Sequence, residues 1–419
     1  MTDNSARFTR PPRWAPSLVA LVLGFGGLAE PTRAATATAR LRAAPLAADA
    51  EFGYASALDG NLVAIGAPGE RGTAGAAYVY VCTLAGCAAP SRIAPSDTLA
   101  GDRFGAAIAL SGDTLAVGTP GHSAGVVHVY TVVGGVPQLQ ARLDSPSAIA
   151  DGRFGAALAL QGERLVVGAE VAGSAWVYTR SAGAWGPPQP LLRMGGAPRD
   201  RYGAAVALSG DTLAVGAPLE ATMGVPSSYA RGAAYVFTLS GGVWQQQARL
   251  GAAGAANGDL FGLALSLAGD RLAVAAPAAQ LLRGKVVLYE RNAGTWQAVA
   301  DLAAAAGVPG DRFGWSVALA TDRLVVGAPL AAETCGGAVA FARNAGAWTE
   351  VPRAFGPASQ PGALQGWSVA ASGAASLVAV PDLDAGGTAI AGQVAWYEPA
   401  AGAFGDGFEP GIEACLAAP

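Results

Sequence analysis

The chain has 419 residues, of which 52% are hydrophobic and only 13% are charged. A formal net charge of −4 excludes the basic surface that would hold nucleic acid or an acidic membrane. Because it contains only two histidines, His122 and His128, the sequence predicts neither a histidine-based catalytic triad nor a multi-histidine metal site.

The first 34 residues have the pattern of an export signal. Arg7, Arg10 and Arg13 precede an apolar stretch at residues 17–28, and small residues follow it. Twelve apolar residues are too few to cross a bilayer as a helix. We expect cleavage near Ala34, a secreted, periplasmic or cell-surface location, and no membrane span once the signal is removed.

An aromatic–glycine pair recurs along the rest of the chain at spacings of 48 to 59 residues. Six copies are intact, and Gln365-Gly366 is a degenerate seventh. Self-similarity of this period is the sequence signature of a repeat architecture. The intact pairs are Phe52-Gly53, Phe104-Gly105, Phe154-Gly155, Tyr202-Gly203, Phe261-Gly262 and Phe313-Gly314.

Each repeat divides into four short apolar runs separated by Gly or Asp turns. In the third repeat the runs are "FGAALAL", "ERLVVGA", "SAWVYTR" and "AWGPPQPLL". Runs of this length, rich in Val, Leu, Tyr and Trp, are typical of β-hairpins, and no helical periodicity is present. Four strands repeated seven times predict an all-β fold over residues 35–398, a seven-bladed β-propeller of four-stranded antiparallel blades.

The first run of several repeats is rich in alanine, as in "AAIAL", "AALAL" and "AAVAL". Small side chains suit strands that converge on the axis of a propeller, where large ones would not fit. We therefore predict that the first strands line the axis, and that the Trp and Tyr residues fall on the third and fourth strands.

The segment before the first repeat resembles a fourth strand. "TATARL" at residues 36–41 matches "WQQQARL" at residues 244–250, and each ends eleven residues before an aromatic–glycine pair. We predict that this N-terminal strand completes the last blade and closes the ring, which leaves no open sheet edge. The alternative is a strand from the C-terminal tail at residues 399–419, where Phe404 occupies the tryptophan position. The sequence assigns the tail no role.

The four cysteines allow three disulfide pairings. Cys82 and Cys87 flank a glycine turn, a spacing that suits a bridge across a hairpin. Cys335 and Cys415 would then pair by elimination. A zinc site is the competing interpretation, but two cysteines separated by four residues without nearby histidines match it poorly.

The marks "FG" and "GAP", which bracket the first two strands of each repeat, resemble the FG-GAP repeat of integrin α-subunits and of many secreted bacterial proteins. The resemblance implies a seven-bladed propeller. Integrin repeats often carry an aspartate-rich calcium loop between these strands, but here the loop has shrunk to turns such as "LSGDT". One acid per turn cannot supply the oxygens that calcium needs. We expect no metal and no cofactor, and we interpret Asp113, Asp211, Asp270 and Asp322 as turn formers.

The recurring acid before the aromatic–glycine pair is not predicted to be catalytic. General acid–base chemistry needs two neighbouring carboxyl groups with separated pKa values, whereas one acid per blade is spread around a ring. We expect each to hold its own turn, and the sequence predicts no catalytic residue. We expect His122 to be a solvated loop residue without a partner, and His128 to be satisfied inside a strand. The acids are Asp102, Asp151, Asp200, Asp259 and Asp311.

In a four-stranded blade, the loops from the second to the third strand and from the fourth strand to the next blade share one face. These are the longer loops here, and binding residues are expected on variable loops held by a rigid scaffold. The longest, at residues 219–232, accounts for the 59-residue spacing. The predicted binding residues of this face are Glu70, Arg71, Glu170, Glu220, Tyr229, Arg231, Arg283 and Glu333.

Three functions are compatible with these features. The favoured one is a monomeric, secreted, non-enzymatic binding module for an extracellular protein or glycan partner in adhesion or cell-surface interaction. The second is a lectin-like propeller, which predicts repeated pockets between blades. The third is a lyase or hydrolase built on a propeller, which predicts a cluster of charged residues at one end of the channel.

Overall fold

Each repeat folds as an antiparallel sheet of four consecutive strand positions, which we call inner, second, third and outer. The computed structural model describes residues 39–43, 49–83, 85–194, 198–221, 230–331, 335–351, 363–373, 375–381 and 392–397. These residues lie in one compact unit, Arg33–Pro419. The expected signal segment and the C-terminal tail lie outside them. Within the described residues the strands form seven sheets, numbered here as blades 1 to 7 in the order of their inner strands.

The inner and second strands form a tight hairpin in every blade. The inner strands are Ser56–Asp59, Ala107–Ser111, Phe154–Gln161, Val206–Ser209, Leu265–Ala268, Ser316–Leu319 and Val369–Ser372. The second strands are Leu62–Ala67, Thr114–Thr119, Arg164–Ala169, Thr212–Ala217, Arg271–Ala276, Arg323–Ala328 and Ala375–Val380. Where a proline follows the second strand, the strand ends before it because proline lacks the N–H that would continue the ladder.

The third strands are longer, and the outer strands vary most. The third strands are Ala76–Thr83, Val126–Val133, Ser174–Ser181, Ala233–Ser240, Lys285–Asn292, Gly337–Asn344 and Gln393–Tyr397. Blades 1 and 3 have outer strands in two pieces, Gly86–Cys87 with Ser91–Ile93 and Ala184–Trp185 with Gln189–Pro190. The remaining outer strands are Val136–Asp144, Val243–Leu250, Thr295–Leu302, Ala347–Val351 and, for blade 7, Ala39–Leu41.

The N-terminal strand completes blade 7, as predicted. Ala39–Leu41 pairs antiparallel with the third strand of that blade, and Leu41 lies opposite Val394. Leu41 is only 3% exposed and packs in the cluster that contains Trp396. The inner strands contact one another in blade order, and that of blade 1 contacts that of blade 7, so the ring is closed. The alternative strand around Phe404 lies outside the described residues.

The glycines of the two marks pack against each other between neighbouring blades. The glycine of the FG mark, such as Gly105, has a positive φ of 91°. Its carbonyl oxygen faces Gly66 in the GAP mark of the preceding blade, where a Cβ would lie only 1.9 Å away. The same contact joins Gly118 to Gly155 at 2.0 Å. In blades 5 and 7 the second position is alanine, Ala275 and Ala379. The marks therefore set the spacing between blades.

The aromatic residue of the FG mark is buried against its own blade. Phe52 and Tyr78 meet edge to face with ring centroids 5.4 Å apart, as do Tyr202 and Tyr235 at 5.6 Å. Such pairs contribute about 0.5–1.5 kcal/mol beyond the area they bury. The aromatic therefore pins the start of the inner strand to the third strand.

On the face opposite the long loops, side chains at the turns between inner and second strands form hydrogen bonds to the neighbouring blade. Asp59 accepts a hydrogen bond from the N–H of Gly112 at 2.7 Å, and Ser111 accepts one from Gly162 at 3.1 Å. The turn acids participate as well, since Asp211 pairs with Arg164 of the preceding blade at 2.8 Å. These acids lie in turns, as predicted, and some also join blades.

The predicted hairpin disulfide between Cys82 and Cys87 is present. Cys335 is also disulfide-bonded, and Cys415, its predicted partner, lies outside the described residues. In the part of the chain that the structure describes, no helix is long and apolar enough to span a membrane.

Replacing Gly66 by alanine is expected to lower the free energy of unfolding by about 2–3 kcal/mol, because the new methyl group would collide with backbone rather than with a movable side chain. Gly251→Ala is the control, since the nearest atom to a Cβ there is 4.0 Å away. Chemical denaturation of both variants measures the difference. If Gly66→Ala and Gly251→Ala unfold with equal free energies, the contact between blades 1 and 2 does not require glycine at position 66. Blades 5 and 7, which carry Ala275 and Ala379 at this position, would be consistent with that outcome.

Leu41→Ala is expected to cost about 2–5 kcal/mol, because it removes the buried side chain that anchors the closing strand. Arg40→Ala, an exposed position on the same strand, is the control. Thermal denaturation and limited proteolysis of blade 7 would measure the effect. Unchanged proteolysis in Leu41→Ala would contradict a closing role for this strand.

Candidate functional site

All seven inner strands contribute to a cavity of about 260 Å³ at one end of the central channel, on the face of the long loops. The residue after the FG mark lies at this opening in six blades, and in blade 3 the following residue, Ala157, takes its place. Blades 2 and 4 place Ala106 and Ala204 there, as the alanine-rich runs predict. Blades 6, 7 and 1 differ, since they carry large aromatic residues at the same position. The channel mouth is therefore asymmetric.

Three aromatic side chains from consecutive blades form one wall of the mouth. Trp315 and Trp367 have ring centroids 5.0 Å apart, and Trp367 and Tyr54 are 5.6 Å apart, with interplanar angles of 49° and 48°. All three side chains are half-buried. We call Trp315, Trp367 and Tyr54 the aromatic arc. Half-buried rings at a concave surface can stack against a ligand while already held by their neighbours.

An arginine stands at each end of the aromatic arc. The guanidinium carbon of Arg103 lies 5.1 Å from the centre of the Tyr54 ring, and that of Arg312 lies 5.7 Å from the Trp315 ring. Both distances are within cation–π range. Arg103 and Arg312 directly precede an FG aromatic, where the backbone has positive φ, and Arg153 and Arg201 occupy the same position in blades 3 and 4. Four arginines therefore surround the mouth.

The carboxylates at the mouth form ion pairs with these arginines. Glu51 accepts a hydrogen bond from Arg103 at 2.7 Å. Glu170 is buried and pairs with both Arg153, at 2.8 Å, and Arg201, at 2.7 Å. Arg312 has no carboxylate partner among the described residues, and its Nε is buried without a hydrogen bond. The mouth therefore offers an uncompensated positive charge at one end of the arc.

Two left-handed turns hold the flanking arginines. In Glu70–Thr73 and Ala279–Leu282, three consecutive residues each have positive φ, including Thr73 and Leu282. The carbonyl oxygens of Thr73 and Leu282 accept hydrogen bonds from the N–H groups of Arg103 and Arg312, both at 2.8 Å. Left-handed backbone costs energy for residues other than glycine, and such strain concentrates at functional sites. The turns thus orient the two arginines next to the arc.

Glu70 and Glu220, predicted as binding residues, instead tie the strands of their own blades together. Glu70 accepts hydrogen bonds from Tyr78 at 2.6 Å and from Arg92 Nε at 2.8 Å. Burial, together with the bond to Glu70, raises the pKa of Tyr78 to about 12. Glu220 does the same in blade 4, where it accepts bonds from Tyr235 at 2.5 Å and Arg249 at 2.7 Å. Both carboxylates are buried, so neither is offered to a ligand.

The other predicted binding residues are distributed over the same face without converging. Arg71 donates to Thr98 at 3.3 Å, and Arg283 donates to the carbonyl of Ala304 at 3.1 Å. Arg231 is exposed. Of the six predicted residues that the structure describes, only Glu170 belongs to the mouth. Tyr229 and Glu333 lie outside the described residues.

The acids before the FG marks act in turns, with one exception. The side chains of Asp102, Asp259 and Asp311 each accept a hydrogen bond from the N–H three residues earlier, at 2.7 to 2.8 Å. Asp200 instead pairs with Arg193 at 3.0 Å. The predicted equivalence of Asp151 was wrong, because the order of glycine and acid is reversed in this repeat: Gly152 stands two positions before Phe154, and the exposed Asp151 stands three before it.

The histidines differ from expectation in one case. His122 was predicted to have no partner, but its Nδ1 lies 2.7 Å from the carboxylate of Asp102. His128 is buried within the third strand of blade 2, where its Nδ1 lies 3.3 Å from Thr119 Oγ1. Among the described residues, no three His, Cys, Asp or Glu side chains converge as metal ligands do.

The aromatic arc was not predicted, because the alanine-rich pattern of the first strands masks the blades that depart from it. The signal is present in the aligned repeats, where Tyr54, Trp315 and Trp367 stand at the position that is alanine in three others. That these three positions adjoin follows only from ring closure, which brings blade 7 beside blade 1.

The fold is a seven-bladed β-propeller with an aromatic mouth at one end of its channel. A family model described as the FG-GAP repeat matches residues 36–80, 90–130, 185–237, 244–286 and 296–340, which is more than half of the chain. The chain therefore belongs to the FG-GAP repeat family.

Other comparisons show the architecture alone. No curated protein matches the chain. A catalytically inactive variant of virginiamycin B lyase from Staphylococcus aureus, solved with quinupristin, is similar at 11% identity over 86% of this chain and 98% of that chain, with a TM-score of 0.53. A candidate 6-phosphogluconolactonase from Bacteroides uniformis is similar at 13% identity over 72% of this chain and 84% of that chain, with a TM-score of 0.49.

Glu170→Gln is expected to lower the free energy of unfolding by about 1–2 kcal/mol, because it leaves Arg153 and Arg201 without their shared carboxylate. The control is Glu163→Gln, an exposed carboxylate that pairs with Arg180, where the change should be within experimental error. Thermal denaturation at low and high salt compares the two. Equal effects would show that Glu170 contributes no more than a surface ion pair.

Proposed function

We propose that the protein is a non-enzymatic binding module that holds an extracellular protein or glycan partner at the channel mouth. The observation that supports this function is the aromatic arc with an arginine at each end. Tryptophan, tyrosine and arginine are the side chains that most often dominate binding energy, and they do so at concave, rigidly held positions. The location outside the cell rests on the export signal predicted at residues 1–34.

Binding is favoured over catalysis by the state of the acidic groups. Glu51 and Glu170, the carboxylates beside the arginines, are each held in an ion pair with an arginine, so neither is free to contact a ligand. Neither histidine lines the cavity of the mouth. The described residues of the mouth can therefore stack against a ligand and neutralise its charge, but they lack a poised acid–base pair.

The alternatives make different demands on the same face. A lectin with equal pockets around the ring would need the same residues in each blade, whereas the arc is confined to blades 6, 7 and 1. A lyase or hydrolase is the second candidate function, because charged residues cluster at the mouth as such an enzyme requires. Mass spectrometry of a bound partner after prolonged incubation separates them: an intact partner favours binding, and a cleaved one favours the enzyme.

Trp315→Ala and Trp367→Ala are each expected to weaken partner binding by about 30-fold, the effect of losing a side chain worth 2 kcal/mol at a hot spot. Partners would be captured from a glycan array and from surface-protein extracts with the mature chain, and affinities measured by calorimetry.

Trp185→Ala is the matched control. Trp185 is also a half-buried tryptophan, but it lies on the outer strand of blade 3, at the edge of the sheet opposite the inner strand. The Trp185→Ala variant should bind the captured partner with the affinity of the unmodified protein. Captured partners that bind all three variants equally well would overturn the assignment of the mouth as the binding site.

A further inference from the structure

The face of the long loops carries an apolar and basic surface beside the mouth, where blade 5 meets blade 6. Two loops form this surface. One is the left-handed turn after the second strand of blade 5, and the other connects the outer strand of blade 5 to the inner strand of blade 6. We call this surface the blade 5–6 patch, and it consists of Leu281, Leu282, Arg283, Val308 and Arg312.

Direct contacts hold the two loops of the patch together. The carbonyl oxygen of Leu282 accepts a hydrogen bond from the N–H of Arg312 at 2.8 Å. A Cβ on Gly307 would lie 3.4 Å from Arg283 Nε, and Val308 directly follows Gly307. The residues of the patch are therefore neighbours in space, although they come from separate loops.

Three aliphatic side chains of the patch face solvent. Leu281 is 82% exposed, Val308 is 56% exposed and Leu282 is 39% exposed. Burial of apolar surface is the main favourable contribution to protein association, and exposed apolar residues that adjoin one another mark an interaction surface. The patch therefore suits a partner that covers these three side chains with apolar groups of its own.

The turn that presents the two leucines has an unfavourable backbone conformation. Gln280, Leu281 and Leu282 have φ values of 56°, 60° and 68°, in the left-handed region that costs energy for residues other than glycine. The left-handed turn of blade 1 has Gly72 and Thr73 at the positions of the two leucines. The propeller therefore does not require leucine here, and strain of this kind concentrates at functional sites.

Neither arginine of the patch has a carboxylate partner among the described residues. Arg283 donates through Nη2 to a backbone carbonyl, and Arg312 lies over the ring of Trp315. Of the guanidinium nitrogens of Arg312, only Nε is buried, and neither Nη1 nor Nη2 makes a hydrogen bond. The adjacent carboxylate, on Asp311, accepts a hydrogen bond from the N–H of Val308 at 2.8 Å. The outer edge of the Arg312 guanidinium is therefore open to an anion.

We propose that the blade 5–6 patch binds a segment of a protein partner in which an acidic residue lies beside aliphatic residues. The carboxylate of that segment pairs with the open edge of Arg312, and its aliphatic side chains cover Leu281 and Val308. A glycan has no aliphatic side chains with which to cover them. The inference rests on the function proposed for the mouth, and it narrows the partner to a protein.

A displayed library of random short peptides, selected on the intact protein, tests the chemistry of the partner. We expect the enriched sequences to share an Asp or Glu next to Leu, Ile, Val or Phe. A synthetic peptide of the enriched sequence would then be titrated by calorimetry. Its affinity is expected to fall as salt is added, and to fall at least tenfold when its acid is replaced by the corresponding amide.

Leu281→Ser and Arg312→Gln are each expected to weaken binding of this peptide at least tenfold. The matched controls are Leu192→Ser and Arg71→Gln, because Leu192 is 78% exposed and Arg71 is an exposed arginine on the same face, outside the patch. Replacing the acid of the peptide should weaken binding to the unmodified protein but not to Arg312→Gln, since the ion pair is already lost there. Circular dichroism and melting temperature would show that each variant is folded.

Several results would overturn the proposal. One is a selection that enriches no peptides, or only peptides without an acid. Another is equal weakening by the patch variants and their controls. Polygalacturonate, tested as an acidic glycan, would indicate a glycan site if it binds where no peptide does. A peptide that loses affinity in Trp367→Ala, but not in Leu281→Ser or Arg312→Gln, would leave the mouth as the binding site and exclude the patch. A dimer in sedimentation velocity that Leu281→Ser dissociates would show that a second copy covers the patch instead.

Discussion

The contact between two glycines of neighbouring blades is the constraint on which the propeller depends. The carbonyl of Gly105 sits against Gly66 so closely that no side chain fits between them, and blades 2, 3, 4 and 6 repeat the arrangement. This contact brings the inner strands near enough to form a ring. Once the ring closes, the residues that flank the FG mark all meet at one end of the axis. The mark is architectural, but it determines where the mouth is and which residues reach it.

The repeats differ from one another most clearly at the mouth. Burial in each sheet makes similar demands on the strand residues of every blade. The residues before and after the FG mark, by contrast, differ from blade to blade. Aromatic residues collect on blades 6, 7 and 1, and arginines stand at both ends. The mouth is therefore asymmetric, although the scaffold that carries it is repetitive.

Buried glutamates show how a binding prediction can fail for a physical reason. Charged residues on long loops are sound candidates when they are exposed. Glu70 and Glu220 stand two residues after the GAP mark. Each accepts hydrogen bonds from a tyrosine on the third strand and an arginine on the outer strand of its own blade. Only the sheet pairing reveals that these partners are adjacent, because they lie 8 to 29 residues apart in the chain.

The sequence by itself determined the fold class, the seven repeats, the closing strand and the Cys82–Cys87 bridge, because each depends on local periodicity or short spacing. Tertiary structure decided what lies at the mouth. Tyr54 and Trp367 are 313 residues apart by number, yet their rings touch because the last blade adjoins the first. Contacts between blades are set by ring closure, and no pattern within one repeat records them.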